Sequence, residues 1–343
     1  MIAESNPLKQ KYEAFKLEHP KKRIRDAAKD LNVSEAELLY TGIGETVTLL
    51  QHPFEELLKK VTTLGHVMAL TRNEYCVNER KGVYEDISLG PHAGLVLGAD
   101  IDLRLFMSQW ILGFAVNEGG RKSLQFFDAR GVAVHKIYLT DKSNEQAYTN
   151  LVSEFTKADQ TDFTVSNEPI APKNAELPDL EIEKEAFQTA WNNMQDSHEF
   201  FGIVRKFKLT RTQALRLAPE GRSKQVDLET FKAVMDACAA QQVPIMVFTG
   251  NTGCIQIHTG NITKIVNMEQ WFNVLDPEFN LHLRVDAVAS VWHVVKPSTD
   301  GDVNSLELFD ADGEMIVQIF GKRKPGVPEL ETWRTVLSDA IKR

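Results

Sequence analysis

Cysteine is scarce. Cys76, Cys238 and Cys254 are the only three in 343 residues, and no two form a C-x-x-C. That excludes a disulfide scaffold and a thiolate zinc site, and it predicts reduced thiols in a cytoplasmic protein. No apolar run approaches the roughly 18–20 residues of a transmembrane helix. The longest, such as Ile111–Val116, are strand-sized. The opening Met1-Ile2-Ala3-Glu4 lacks the basic start and apolar stretch of a signal peptide. We therefore expect no membrane insertion. A basic excess is missing too: 39 Lys and Arg stand against 48 Asp and Glu, a formal charge of -9. This argues against a nucleic-acid partner. There is no G-x-S-x-G, G-x-x-x-x-G-K-[ST], H-E-x-x-H or strand-borne G-x-G-x-x-G, so the common hydrolase, nucleotide and zinc-protease readings have no starting point.

What the chain does have is a repeat. Ser123-Leu-Gln-Phe-Phe-Asp-Ala-Arg-Gly131 matches Ser305-Leu-Glu-Leu-Phe-Asp-Ala-Asp-Gly313 at six of nine positions. Thr71 to Cys76 lies over Thr249 to Cys254, and Ile101 to Leu105 over Phe279 to Leu283. Three colinear matches predict a duplication, with an N-terminal half over 1–158 and a C-terminal half over 181–343. Between them, 159–180 carries Pro169, Pro172 and Pro178 with several acidic residues, the composition of an extended linker.

Within the first half, helical segments come first: Lys9 to His19, Ile24 to Leu31, Ser34 to Tyr40 and Phe54 to Leu64. Ser34 with Glu37 fits a capping box. Strands follow, in which Leu103, Leu105 and Met107 alternate with polar or small residues, as do Leu124 and Phe126, then Val132, Val134 and Ile137. Asp128 to Gly131 and Asp310 to Gly313 read as hairpin turns. Helices followed by strands predict an α+β fold with antiparallel sheet.

Arg25 to Glu37 has the outline of a helix-turn-helix, but Glu35 and Glu37 bring the wrong sign for phosphate, and an ordinary helix pair is the simpler reading. One histidine stands apart. Phe187, Trp191, Met194, His198 and Phe201 are spaced 4, 3, 4, 3, an apolar stripe if the segment is helical throughout. His198 is then either a core histidine or a metal ligand in an aromatic pocket, which is what haem iron requires. Alternatively, Asp196 or Ser197 caps a new helix with His198 in its first turn. Arg104, Arg211, Lys296 and Arg323 each read singly as solvated surface charge; together they suit the carboxylates of a porphyrin.

Asp102 to Trp110, Ser123 to Asp128, His198-Glu-Phe-Phe201 with Leu209-Thr-Arg211, and Ser305 to Asp310 resemble the bacterial haemin-degrading factor family, cytoplasmic haem-utilisation proteins. The resemblance runs from about residue 10 to about residue 335. It implies two similar halves, each with a large antiparallel sheet and flanking helices, the sheets stacked centrally, and haem on the C-terminal half. It implies His198 as the axial ligand of haem iron and Arg104 as the catalytic, distal residue. Arg211, Lys296 and Arg323, with Gln318, fall at propionate-binding positions, and Phe106 and Phe248 at apolar positions near the macrocycle. Phe320 stands where relatives are expected to carry Tyr, and His282 replaces Arg104 at the repeat-equivalent position, with no role assigned. The implied activity is opening of the porphyrin ring to release iron, with an external electron donor. The competing reading is a carrier that delivers haem to a separate haem oxygenase. Partners on these readings are haem, a haem uptake transporter, or a haem oxygenase and an external reductase.

Overall fold

The computed structural model describes residues 6–90, 93–168, 175–324 and 326–342. Of the three linker prolines, Pro169 and Pro172 lie outside these residues. The helices are α1 (Pro7–Glu18), α2 (Ile24–Leu31), α3 (Glu35–Tyr40), α4 (Glu55–Lys60), α5 (Glu145–Phe155), α6 (Lys184–Asn192), α7 (Glu199–Lys206), α8 (Arg211–Arg216), α9 (Leu228–Gln241) and α10 (Glu331–Ile341). Strands of the first half are β1 (Val47–Leu49), β2 (Gly65–Arg72), β3 (Cys76–Val83), β4 (Ile87–Leu89), β5 (Gly94–Leu97), β6 (Asp102–Leu105), β7 (Leu112–Glu118), β8 (Arg121–Phe127) and β9 (Ala133–Ser143). Those of the second are β10 (Ser223–Val226), β11 (Ile245–Gly250), β12 (Cys254–Gly260), β13 (Ile265–Met268), β14 (Trp271–Leu275), β15 (Phe279–Arg284), β16 (Ser290–Lys296), β17 (Val303–Phe309) and β18 (Met315–Gly321).

The strands form two nine-stranded sheets, ordered β1-β7-β8-β9-β2-β3-β15-β14-β13 and β10-β16-β17-β18-β11-β12-β6-β5-β4. Each order becomes the other when every strand is exchanged for its repeat partner nine places away. The α+β duplication is therefore present down to its details. A register shift falls between Phe126 and Phe127, and its counterpart between Leu308 and Phe309. In the two hairpin turns Gly131 has φ 74° and Gly313 φ 73°. Asp128 Oδ1 accepts from the N–H of Arg130 and Val132, as Asp310 Oδ1 does from Asp312 and Glu314.

Two compact units arise, and each borrows a short segment from the other half of the sequence. One comprises Met1–Arg72, Glu79–Pro169 and Gly250–Gln256; the other Asn73–Asn78, Ile170–Thr249 and Ile257–Arg343. Each borrowed segment buries a cysteine in its host and is hydrogen-bonded there. In the first unit Cys254 joins a core with Trp110, Phe126 and Ile137, and Asn251 Nδ2 donates to Val134 O at 2.8 Å. In the second, Cys76 joins Phe231, Phe272 and Trp333, and Asn73 Nδ2 donates to Ile316 O at 2.7 Å. The Thr–Cys matches in the sequence thus become Cys254 against Thr71 (3.4 Å) and Cys76 against Thr249 (3.6 Å).

Local signals hold where capping or periodicity is strong. Ser34 and Glu37 form the expected capping box ahead of α3. Three expectations need correction. Met107 leaves the strand for a 3-10 turn over Met107–Gln109, Phe54–Leu64 splits into α4 and a 3-10 turn, and Val132 sits exposed in the hairpin turn rather than in β9. At Met107 and Val132 the alternation of apolar residues extends beyond the paired strand, and at Val61–Leu64 the apolar helical spacing continues where the helix tightens to 3-10.

Candidate functional site

Helix α6 stops at Asn192 and α7 begins at Glu199, so the continuous stripe expected over 187–201 is broken. Phe187, Trp191 and Met194 are buried as that stripe requires, whereas Phe201 is exposed. His198 occupies the N-cap of α7 with its side chain 92% accessible. The core-histidine reading is overturned; a new helix does begin here, but its N-cap is His198 itself rather than Asp196 or Ser197, and the connecting turn places the imidazole outside the fold. Glu199 Oε1 stabilises that turn by accepting from the N–H groups of Gln195 and Asp196. Thr299 N–H donates to Gln195 O at 2.9 Å, fixing the turn to the β16–β17 connection.

Asp196 Oδ1 accepts from the backbone N–H of His198 at 2.8 Å and lies 2.6 Å from its Nδ1. These bonds from His198, with a smaller contribution from Arg323, outweigh the effect of burial and hold the Asp196 carboxyl below its usual range. Arg323 itself approaches Asp300 at 3.7 Å.

Behind α7 lies a buried ionic cluster. Thr210 caps α8, which puts Arg211 at the first helical position. Its guanidinium forks onto Glu307, Nε to Oε2 at 2.8 Å and Nη2 to Oε1 at 2.9 Å. Lys296, at the end of β16, donates to Glu307 Oε1 at 2.6 Å. Ser305 and Gln318 donate to the same oxygen at 3.2 and 3.1 Å. Phe200 of α7 closes one side, with Lys296 Nζ 4.7 Å and Arg211 Cζ 5.1 Å from its ring centre. Burial raises the Glu307 carboxyl, but Arg211 and Lys296 together overcome it and hold the group well below the carboxylate range. Burial pushes Lys296 down to about 8, with Glu307 acting against that shift and Arg211 adding to it. Lys296 is therefore buried and paired, where the sequence alone suggested solvated charge. Glu307 went unnoticed, although one signal was available: it is the acidic member of the Gln125/Glu307 mismatch in the repeat.

Phe248 packs against Phe320, ring centres 5.1 Å apart at 65°, and pairs in register with Gln318. In the other unit, Arg104 on β6 is held by Asp102, two residues back on the same strand face, and Nη1 also donates to Leu103 O at 3.1 Å. Phe106, just after β6, donates its N–H to Gly253 O at 3.0 Å. His282 Nδ1 lies 2.8 Å from Asn273 Oδ1. The second unit thus holds His198 on Asp196, Arg211, Lys296 and Gln318 on Glu307, and Arg323 near Asp300. Among the described residues no cluster of three or more His, Cys, Asp or Glu is arranged to hold a metal ion, and no helix is long and apolar enough to cross a membrane.

Comparison with known proteins follows the same division into halves. The model of the Haemin-degrading HemS.ChuX domain matches twice, over residues 32–155 and 208–340. The hemin transport protein HmuS of Yersinia pestis is 38% identical over 98% of both chains. The crystal structure of apo-PhuS, a heme-binding protein from Pseudomonas aeruginosa, superposes with a TM-score of 0.94 at 44% identity, covering 97% of this chain and 98% of that one. ChuS, described as an E. coli heme oxygenase, gives a TM-score of 0.84 at 34% identity over 95% and 98%.

Proposed function

From the premise that this chain belongs to the haemin-degrading HemS/ChuX family, we propose that it binds haem through His198 and, with an external electron donor, opens the porphyrin ring to release iron. The observation that carries this is the His198–Asp196 pair. A lone, outward-facing imidazole suits an iron whose remaining donors are supplied by a macrocycle. Asp196 accepting from Nδ1–H fixes the tautomer and leaves Nε2 as the donor atom. Arg211, Lys296 and Arg323, with the neutral amide of Gln318, supply hydrogen-bond donors for propionate oxygens, which the three cations bind strongly. Phe248 and Phe320 offer apolar surface; Phe320 has no hydroxyl to donate. Arg104, oriented by Asp102, has the catalytic role in this reading, stabilising negative charge that develops during ring opening. Haem itself supplies the redox chemistry, and the protein supplies binding, orientation and electrostatics.

One observation favours the second reading, delivery of haem to a separate haem oxygenase: a side chain 92% accessible is as ready to release a ligand as to take one. A single-turnover series separates the two. The protein is loaded with one equivalent of haemin and given ascorbate in air with catalase present. Decay of the Soret band into a ring-opened tetrapyrrole spectrum supports degradation. Persistence of the band, or decay only without catalase, favours delivery. A broad band like that of free haemin instead of a sharp Soret band at the outset, or a sharp band unchanged in His198→Ala, overturns the assignment of the ligand.

A further inference from the structure

The Glu307 cluster has a feature that binding alone does not require. Four donors from four elements converge on one buried carboxylate: Arg211 of α8, Lys296 of β16, Ser305 of β17 and Gln318 of β18. Glu307 is 0% exposed and Lys296 4%, while Arg211 is 28% accessible, so the cluster opens on the Arg211 side. Two cations on one anion leave one positive charge unmatched, with Ser305, Gln318 and Phe200 uncharged around them. An unmatched buried charge is costly and favours an arriving anion. The donors are not exhausted either. Arg211 uses two of its five N–H groups on Glu307, Lys296 one of three and Gln318 one of two.

We propose that Glu307 is a positioning residue that presets Arg211, Lys296 and Gln318 as a receptor for a single carboxylate of the porphyrin. This rests on the haem reading above and adds to it the group that makes binding selective for the free acid. Without Glu307, two long side chains lose the partner that fixes their rotamers, and ordering them falls to the ligand. The charge state changes too. Glu307 supports the protonated form of Lys296 against burial and against Arg211. Its removal lowers Lys296 further, so the alkaline loss of carboxylate binding moves to lower pH.

The test is a titration of haemin and of haemin dimethyl ester, which has no free propionate, into the full chain and Glu307→Gln between pH 6.5 and 9.5. Expected is a loss of about tenfold or more in haemin affinity, the size of one charge-assisted hydrogen bond, with ester affinity unchanged. Alongside it, the alkaline limb for haemin shifts to lower pH, and Glu307→Asp restores part of the loss. If Glu307→Gln weakens haemin and ester equally, or weakens neither, the proposal is wrong. If the unaltered chain binds neither compound, the haem reading has failed instead. Should Glu307→Gln not fold by circular dichroism, Glu307→Asp, which keeps the charge but shortens its reach to Arg211 and Lys296, carries the same comparison: a loss for haemin alone supports the proposal, and equal losses for haemin and ester overturn it.

Discussion

Asp196 and His198 are joined twice through one oxygen: Oδ1 accepts the backbone N–H of His198 at 2.8 Å and lies 2.6 Å from its Nδ1. The first contact shapes the turn before α7, and the second orients the ring that the turn exposes. Because the ring is exposed, His198→Ala should change stability by no more than about 0.5 kcal/mol while abolishing the Soret band of bound haemin. Asp196→Asn should keep the band but weaken haemin by about 10- to 100-fold, the usual cost of losing a carboxylate behind a histidine ligand. A large drop in melting temperature for His198→Ala would return the residue to a structural role.

The first unit has its own buried ionic cluster, again one carboxylate on two cations, but here the helix carries the carboxylate. Glu35 opens α3 as Arg211 opens α8, and it is paired with Lys136 and Arg72. Burial raises its carboxyl, but Lys136 and Arg72 overcome it and lower the group to about 2. Glu35→Gln strands two cations and should destabilise by about 3–5 kcal/mol, whereas Glu35→Leu with Lys136→Met should recover most of that. Urea unfolding measures both. Glu35→Gln should leave the ratio of haemin to ester affinity unchanged, in contrast to Glu307→Gln.

His135 sets an acid limit. Its Nδ1 lies 2.8 Å from Thr71 Oγ1 and its Nε2 2.6 Å from the Tyr84 hydroxyl, and burial pushes it down from 6.5 to about 3. The unfolded chain therefore takes this proton first. Stability is full above about pH 6.5 and falls as pH drops toward 3. Glu35, lowered from 4.5 to about 2, adds a second loss below pH 4.5. Urea midpoints should decline from pH 6.5 and more steeply below 4.5. His135→Gln should flatten the upper part, the remainder coming from His293, which burial also lowers. An unchanged slope between pH 6.5 and 4.5 in His135→Gln would refute the assignment.

The two hairpin glycines make a matched pair with unequal consequences. Both are left-handed, so alanine costs roughly 1–2 kcal/mol at either from backbone strain. At Gly131 a Cβ would also meet Ser34 Oγ at 2.4 Å and Ser34 Cβ at 2.7 Å, whereas at Gly313 its nearest neighbour is Thr212 Oγ1 at 3.1 Å. Gly131→Ala should therefore lower the melting temperature more than Gly313→Ala, and equal shifts would refute the packing argument.

By itself the sequence determined the duplication, the α+β class and the local devices that act over a few residues: the Ser34–Glu37 box and the two Asp-to-Gly turns. Those signals are short in range, and side chain meets backbone within the same segment. It also contained His198, but not its setting, because apolar spacing of 4, 3, 4, 3 cannot reveal that the backbone breaks at Asn193–Ser197. Only the tertiary structure decided that His198 faces outward on Asp196, that Lys296 is buried, and that Arg211 and Lys296 meet on Glu307. Arg211 and Glu307 are 96 residues apart, and their pairing depends on which strands become neighbours. The same holds for the exchange of Asn73–Asn78 and Gly250–Gln256 between units: both segments are visible in the repeat, but which core receives each Cys follows from sheet order alone.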